Sequence, residues 1–321
     1  MTYQPMDLRH HDRHRLRREP LARESLAYMF QLPDEGLAGY LYTWVNGESV
    51  AGSALFLYGP AVGEKPIEFL VNGIEMPEDQ EFDDWQVGGL HVSHGEAAET
   101  AELTFRGDDV SVDYHFEATS PAYIYSCHPE GSPRFIADDR HEQAGRISGT
   151  LRFDGREIEF AGMGHRDHSW GTRHWGIAQH WKWFESQAGP DYAVHFMELH
   201  AMGNRLLRGY VYRDDAMAEV TGLDIVYEYD ENFFHHSFDA LVTDELGRDT
   251  TVRGNVFARY VMTPHAQSSN NEGSVALEIE GVPGVGHLEM QWQRPYLEYI
   301  REQDYVRERA TPARPGIQAL R

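Results

Sequence analysis

The sequence predicts an all-β fold with two antiparallel β domains, each a barrel or a sandwich, packed together. Roughly fourteen to sixteen short segments alternate in polarity, with turn residues every ~8–12 positions, as is typical of sandwiches and barrels. Aromatic residues are abundant, with 17 Tyr, 15 Phe and 7 Trp, and they favour strands. Strands do not alternate with helical patterns, so a doubly wound parallel fold is not expected.

Charge and composition exclude several classes of partner. The 321 residues carry a formal net charge of −24, which repels phosphate backbones and anionic lipids, so neither nucleic acid nor a membrane surface is expected to bind. No apolar run approaches the ~18 residues of a membrane span. The only cysteine, Cys127, cannot form a disulfide within the chain. The basic N-terminus lacks the apolar core of a secretory signal, so we expect a cytoplasmic protein.

The chain divides into four parts by composition. Residues 1–20 form a basic arm, which either docks on the acidic body or on another subunit, or stays a mobile tail. Residues 21–175 and 176–300 are the predicted N-terminal and C-terminal β domains, and residues 301–321 are a tail. The segment at 295–309 is predicted as either a helix or a tail. The junction of two domains is a common place for a ligand site.

Turn signals define the predicted hairpins. Residues 24–31 form either a first strand or a short helix. Asn46-Gly47 predicts a tight turn between strands at 40–45 and 53–58, and Asp154-Gly155 predicts another between 147–153 and 157–162. The remaining candidate strands are 64–71, 90–93, 102–106, 111–118, 180–186, 192–200, 206–213, 223–229, 237–243, 250–260, 275–280 and 287–293.

The stretch at residues 162–175, GMGHRDHSWGTRHW, does not alternate as its flanking strands do. We expect its glycines where the backbone bends, next to titratable and aromatic groups, as in a ligand pocket. In such a bent loop Asp167 and His168 can point the same way, and with Arg173 they offer an acid–base set.

Two tryptophans in the same stretch, Trp170 and Trp175, offer flat π faces to a hydrophobic substrate or a developing cation. The structural alternative places both indoles in the core and pairs Asp167 with Arg166 or Arg173.

Metal binding and serine hydrolysis find little support in the spacing. His165 and His168 are three residues apart, as are His91 and His94. Side chains at this spacing lie on the same face of a helix but on opposite faces of a strand. The spacing matches no zinc motif, so no metal is expected, and metal-assisted hydrolysis is a third alternative. No Gly-x-Ser-x-Gly motif is present. His235-His236 is predicted to lie on the surface between strands.

The strand at residues 192–200 offers a second proton group. One face carries Glu198 and the other His195, and parity alone does not decide which of them faces a site. In a dry cavity the pKa of Glu198 would rise, which would make it a proton donor. The alternative is a hydrogen-bonded structural histidine and a solvated glutamate.

The run Asp167-His168-Ser169-Trp170-Gly171, followed by Arg173 and Trp175, resembles the Asp-His-x-Trp-Gly signature of the AttH-like and carotenoid 1,2-hydratase (hydroxyneurosporene synthase) superfamily. Lipocalin-like fungal pericyclases are related to it. The resemblance covers residues 140–176. It implies two lipocalin-like antiparallel β-barrel or sandwich domains with a ligand cavity near their junction.

The hydratase branch implies a cofactor-free reaction in which an alkene is protonated, a carbocation forms and water adds. The signature residues implicated there match His168 and Trp170. That branch also uses a Tyr and an Asp on a following strand, whereas residues 192–200 have no Asp in their interior.

These observations predict a cofactor-independent lyase or isomerase acting on a lipophilic small molecule, terpenoid-like or polycyclic, by hydration or dehydration, cyclisation or a double-bond shift. The alternative is a non-catalytic carrier or sensor of a hydrophobic ligand, with the motif as a latch between domains. A second copy of the chain is a candidate partner. The expected catalytic residues are Asp167, His168, His195 and Glu198, and the expected substrate-binding residues are Trp170, Arg173, Trp175, Trp183 and Tyr192.

Overall fold

The structure is a computed structural model that describes residues 6–95, 98–265 and 267–312. It confirms the predicted all-β fold. Residues 1–5 of the predicted arm and 313–321 of the predicted tail lie outside the described residues. The strands of the first half are β1 (Ala22–Leu32), β2 (Leu37–Asn46), β3 (Val50–Tyr58), β4 (Ile67–Glu75), β5 (Trp85–Val87), β6 (Leu90–His94), β7 (Thr100–Arg106), β8 (Val110–Ala118), β9 (Tyr123–Ile124), β10 (Asp139–Phe153) and β11 (Arg156–Thr172).

These strands form one antiparallel sheet in the order β4-β3-β2-β1-β11-β10-β8-β7-β6-β5, and β9 pairs with β10. The sheet curls until its ends approach, since Ser53 Oγ on β3 donates a hydrogen bond of 2.7 Å to the carbonyl of Val87 on β5. We call this nearly closed sheet the N-terminal barrel.

Eight further strands form a closed antiparallel barrel, here the C-terminal barrel, in which β12 pairs with both β13 and β19. Two short helices follow, α1 (Arg294–Arg301) and α2 (Asp304–Arg309), so the segment at 295–309 is helical. Leu297 and Ile300 of α1 pack on the core of this barrel. The strands are β12 (Ala178–Ala188), β13 (Tyr192–Ala201), β14 (Asn204–Arg213), β15 (Ala216–Tyr229), β16 (His235–Asp244), β17 (Asp249–His265), β18 (Ser268–Ile279) and β19 (Val282–Gln293).

The predicted hairpin turns are present, but the prediction of a bent central stretch is wrong. Asn46-Gly47 connects β2 with β3, and Asp154-Gly155, both at positive φ, connects β10 with β11. Residues 24–31 belong to strand β1. Strand β11 continues through Thr172 and pairs with β1 and β10 over most of its length.

Two glycines of that stretch serve close packing, which is why they misled the prediction. A Cβ on Gly164 would lie 2.7 Å from the carbonyl oxygen of Met29 and 2.6 Å from Ile147. Gly171 has φ +121°, and a Cβ there would lie 2.2 Å from the backbone nitrogen of Asp138. Glycine is therefore required where neighbouring backbone approaches an extended strand.

The basic arm docks on the N-terminal barrel over its described residues. Arg13 is buried, and its guanidinium donates to the carbonyls of Pro77 and Gln80 and to Ser49 Oγ. The His14 ring stacks on Trp170 with centroids 3.9 Å apart. Docking on the body, one of the three predicted alternatives, is therefore what the structure has for residues 6–20.

The prediction of a surface position for His235-His236 is wrong. Both side chains are buried at the start of β16. His235 Nε2–H donates to the carbonyl of Leu288 at 2.9 Å, and burial lowers the pKa of His235 to about 3. A neutral imidazole with a satisfied N–H can be buried at small cost, which sequence polarity does not reveal.

Each barrel has its own apolar core, and the layer of side chains between the barrels, here the seam, is also apolar in part. Tyr123 and Tyr125 of the N-terminal barrel pack in one cluster with Trp181, Trp183 and Met197 of the C-terminal barrel. Among the described residues no helix has the length and apolar character needed to cross a membrane.

We predict that Leu41→Ala destabilises the protein by about 2–5 kcal/mol, because it leaves a cavity in the core of the N-terminal barrel. Leu70→Ala in the same sheet is the matched control, since Leu70 is 67% exposed and Leu41 is 0% exposed. The measurement is urea unfolding followed by circular dichroism. Equal losses in the two variants would contradict the assigned core.

Candidate functional site

A cavity of about 500 Å³ lies in the seam, and both barrels line it with aromatic side chains. Its volume is in the range that holds small organic ligands. Polar groups, including Arg140 and Asp167, line part of the same cavity. The lining aromatics are Tyr40, Tyr42, Trp44 and Phe56 from the N-terminal barrel, Trp181, Trp183 and Tyr260 from the C-terminal barrel, and Trp175 from the turn that connects them.

Strand β11 separates the predicted acid–base pair, because successive side chains of an extended strand point to opposite faces. Asp167 and Ser169 point to the cavity. His168 points into the N-terminal barrel, where its ring contacts Phe82 edge-on with centroids 5.5 Å apart. The expectation that Asp167 and His168 act on the same side is therefore corrected.

Asp167 is partly buried and forms an ion pair with the buried Arg140 of β10, not with Arg166 or Arg173 as the structural alternative had it. Burial raises the pKa of Asp167 to about 6, although the Arg140 charge opposes that rise. Arg140 also pairs with Glu142 at 2.6 Å. A carboxyl group with such a pKa can accept or release a proton close to neutral pH.

Glu142 contacts both Arg140 and a histidine deeper in the seam. Its carboxylate accepts hydrogen bonds from the Trp183 indole at 2.9 Å and from His165 Nε2 at 2.8 Å. Burial raises the pKa of Glu142 to about 7, against the lowering effect of Arg140. His195 Nε2 lies 2.8 Å from Tyr125 Oη, and burial lowers the pKa of His195 well below its usual value. His195 lies in this seam cluster, outside the residues that line the cavity.

His168 belongs to a buried hydrogen-bond chain inside the N-terminal barrel. Its Nε2 lies 2.7 Å from Glu24 Oε1, and its Nδ1 lies 3.1 Å from His141 Nε2. Glu24 also accepts from the His14 ring at 2.8 Å. Burial would raise the pKa of Glu24, but the hydrogen bonds from both histidines lower it. These hydrogen bonds connect the docked arm to the face of β11 that points into the N-terminal barrel.

Glu198 and Tyr192 lie in the C-terminal barrel, away from the seam cavity. Glu198 bonds Arg205 Nε at 2.7 Å and lies 4.0 Å from Lys182 Nζ. Burial would raise the pKa of Glu198, but Lys182 and the hydrogen bonds from Arg205 and His200 lower it. Glu198 therefore lacks the raised pKa that a dry cavity would give it. Tyr192 packs against the core of this barrel.

Of the predicted substrate-binding residues, Arg173, Trp175 and Trp183 line the cavity. Trp170 points the other way and stacks on His14 of the arm. Sequence reasoning missed five charged groups that line the cavity, Arg23, Glu68, Arg140, Glu272 and Glu289. Glu272 and Glu289 lie on strands far from β11 in the sequence, so local patterning holds no signal for their proximity to Asp167. Arg140 lies on β10, which pairs with β11, so the register of the predicted Asp154-Gly155 hairpin could have placed it near Asp167.

Within the described part of the chain, two histidine–glutamate clusters have the composition of a metal site: His14 with Glu24 and His168, and Glu142 with His165 and His195. In the first, the donor atoms already bond each other at 2.7–2.8 Å. In the second, the Arg140 guanidinium supplies the cation beside Glu142. Direct hydrogen bonds and an ion pair therefore account for both clusters.

The fold and this cavity define a class: two packed β barrels of the AttH-like, lipocalin-like fold with an aromatic cavity between them. Within it the chain belongs to the family described as a domain of unknown function, DUF7064, whose model matches residues 7–294. No protein of curated function matches the chain by sequence.

Solved structures with the same fold include a hydratase. Kievitone hydratase from Nectria haematococca has a TM-score of 0.61 and 13% identity, covering 84% of this chain and 88% of its own. A putative AttH protein from Nitrosomonas europaea has a TM-score of 0.59 and 11% identity, covering 84% and 92%. CghA in its structure with Sch210972 has a TM-score of 0.61 and 14% identity, covering 85% and 89%. At these identities the likeness establishes the fold.

We predict that Glu185→Gln changes the pH dependence of stability. Glu185 is fully buried in the seam, and burial raises its pKa to about 8, with Glu142 adding to the rise. The folded state prefers the protonated form of Glu185. The stability that this group contributes is therefore complete below its pKa in the unfolded chain and is lost as the pH rises through about 8.

The variant keeps an uncharged group at every pH. Its free energy of unfolding, relative to wild type, should therefore rise by at least about 1 kcal/mol between about pH 5 and pH 8. Urea unfolding at several pH values measures this. Glu159→Gln, on the exposed face of β11, is the control. Parallel pH profiles for wild type and Glu185→Gln would contradict the burial of an ionisable group.

Proposed function

We propose that the protein is a cofactor-independent lyase or isomerase that performs acid–base chemistry on a lipophilic small molecule in the seam cavity. The observation that carries this proposal is the Asp167 carboxyl group, which lines an aromatic cavity while its charge is balanced by Arg140. At neutral pH such a group is mostly ionised but close to titration, so it can accept a proton and return it.

The aromatic walls suit the substrate and the charge that develops on it. Trp175, Trp181 and Trp183 line the cavity beside Asp167. Their faces can pack on hydrocarbon and stabilise a carbocation, as an alkene protonation or a loss of water requires. Kievitone hydratase and CghA share the fold, which supports small-molecule chemistry here. Hydration or dehydration, cyclisation and a double-bond shift all fit this arrangement.

We predict that Asp167→Asn lowers turnover by at least about 10²-fold and leaves ligand binding intact, because general acid–base groups contribute about 10²–10⁴-fold. Asn retains the size of the side chain, and a single cavity wall atom changes. Glu159→Gln, on the same strand but exposed, should retain full activity.

The measurement is native mass spectrometry with organic extraction of wild type and both variants expressed in the same host. The Asp167→Asn protein should retain the substrate, and wild type the product. A mass difference of one water indicates hydration or dehydration, and equal masses with different structures indicate isomerisation. The same unchanged ligand in all three proteins would favour the carrier or sensor over an enzyme.

A further inference from the structure

Two carboxyl groups lie side by side on the part of the cavity wall that the C-terminal barrel forms. Glu272 on β18 is directly opposite Glu289 on β19 in register, and both side chains line the cavity. Directly opposed residues of antiparallel strands project to the same face, with Cβ atoms about 4.5–5.5 Å apart. Asp167 lines the same cavity from the N-terminal barrel.

The surroundings of the pair favour a retained proton. Glu272 is 2% exposed, and its side chain is hydrogen-bonded to those of Glu289 and Asn270. Its Oε2 lies 2.8 Å from His287 Nε2. Glu289 accepts a hydrogen bond from the Trp181 indole. Within the described part of the chain, neither carboxylate has a Lys or Arg within ion-pair distance.

Two adjacent carboxylates in a buried site cannot both be ionised without a large electrostatic cost, so the pair holds one proton near neutral pH. Burial raises the pKa of Glu289 to about 8, and Glu272 adds to the rise. The other titratable and charged groups that interact with the pair are Arg140, His287 and the hydroxyls of Tyr40, Tyr58 and Tyr260.

We propose that Glu289 is the proton donor of the cavity and that Glu272 positions its proton, while Asp167 accepts a proton on the other wall. This inference rests on the proposed function. It adds a second group to Asp167, so that donor and acceptor come from different barrels.

The proton balance closes within one turnover. The Glu289 O–H bond breaks as its proton bonds to a carbon of the substrate double bond, or to the oxygen of a departing hydroxyl. The resulting positive charge on the substrate is removed when Asp167 takes a proton from the neighbouring carbon or from the added water. Asp167 then returns that proton to the Glu272–Glu289 pair through solvent, so no other reactant is consumed.

His287 connects Glu272 to the N-terminal barrel on the other side of the seam. Its Nδ1 lies 3.3 Å from Tyr58 Oη of the N-terminal barrel and 3.3 Å from Ser274 Oγ. Glu272 is therefore the positioning residue, because His287 fixes its carboxyl group while it shares the proton with Glu289, and it does not need to touch the substrate.

A first test requires no substrate. Carboxyl carbon NMR of glutamate-labelled wild type should show that one proton stays on the pair at about pH 7. In Glu272→Gln the pKa of Glu289 should fall by about one unit or more, a tenfold loss of proton affinity, because its charged neighbour is gone. Glu278→Gln, on the same strand outside the cavity, is the control. A Glu289 pKa near 4.3 in wild type, or a Glu289 pKa that Glu272→Gln leaves unchanged, would contradict the shared proton.

A second test uses the substrate that accumulates in Asp167→Asn. Turnover should fall at least about 10²-fold in Glu289→Gln, and the alkaline limb of the pH profile should move to lower pH in Glu272→Gln. If Asp167→Asn is inactive but Glu289→Gln is fully active, the proposed function stands and the donor is wrong. If both are fully active, the proposed function itself fails.

Discussion

The period of two in an extended strand is the constraint on which the rest of this structure depends. Strand β11 carries the most reactive run of the sequence, and its alternation sends Asp167 to the seam cavity and His168 into the N-terminal barrel. Neighbouring residues of β11 therefore lie in two environments, the seam cavity and the interior of the N-terminal barrel. A shift of one residue in register would exchange them, so the pairing of β11 with β1 and β10 decides which groups meet a ligand.

Ionisable groups buried in the seam affect both the stability of the protein and the proton transfer it can perform. Arg140 is the cation around which Asp167 and Glu142 gather, and each carboxyl group keeps a raised pKa despite it. Carboxyl groups held protonated or near titration oppose stability at neutral pH. Their presence between two apolar cores is costly for a purely structural interface, and this cost favours a functional role.

Much of the fold was predictable because it depends on local signals. Asn46-Gly47 and Asp154-Gly155 mark tight turns, and alternating aromatics mark strands. The central stretch was predicted to bend because glycine spacing does not distinguish a bend from close packing such as that of Gly164 against Met29. The cavity was less predictable. Arg140 is brought to Asp167 by the β10–β11 hairpin. Glu272 and Glu289 reach the same cavity only after the two barrels close and pack, which no local pattern records.

The seam also positions the two barrels relative to one another, since several polar contacts cross it. Gln31 donates to Glu185 at 3.1 Å, Tyr125 bonds His195 at 2.8 Å, and Tyr58 bonds Ser274 at 2.9 Å. Unlike apolar packing, these directional bonds specify one arrangement. The cavity takes one wall from each barrel, so the contacts that join the barrels also set the spacing between Asp167 and the opposite carboxyl pair. Catalysis by groups on two rigid bodies requires that spacing to be held, and the buried polar seam supplies the means.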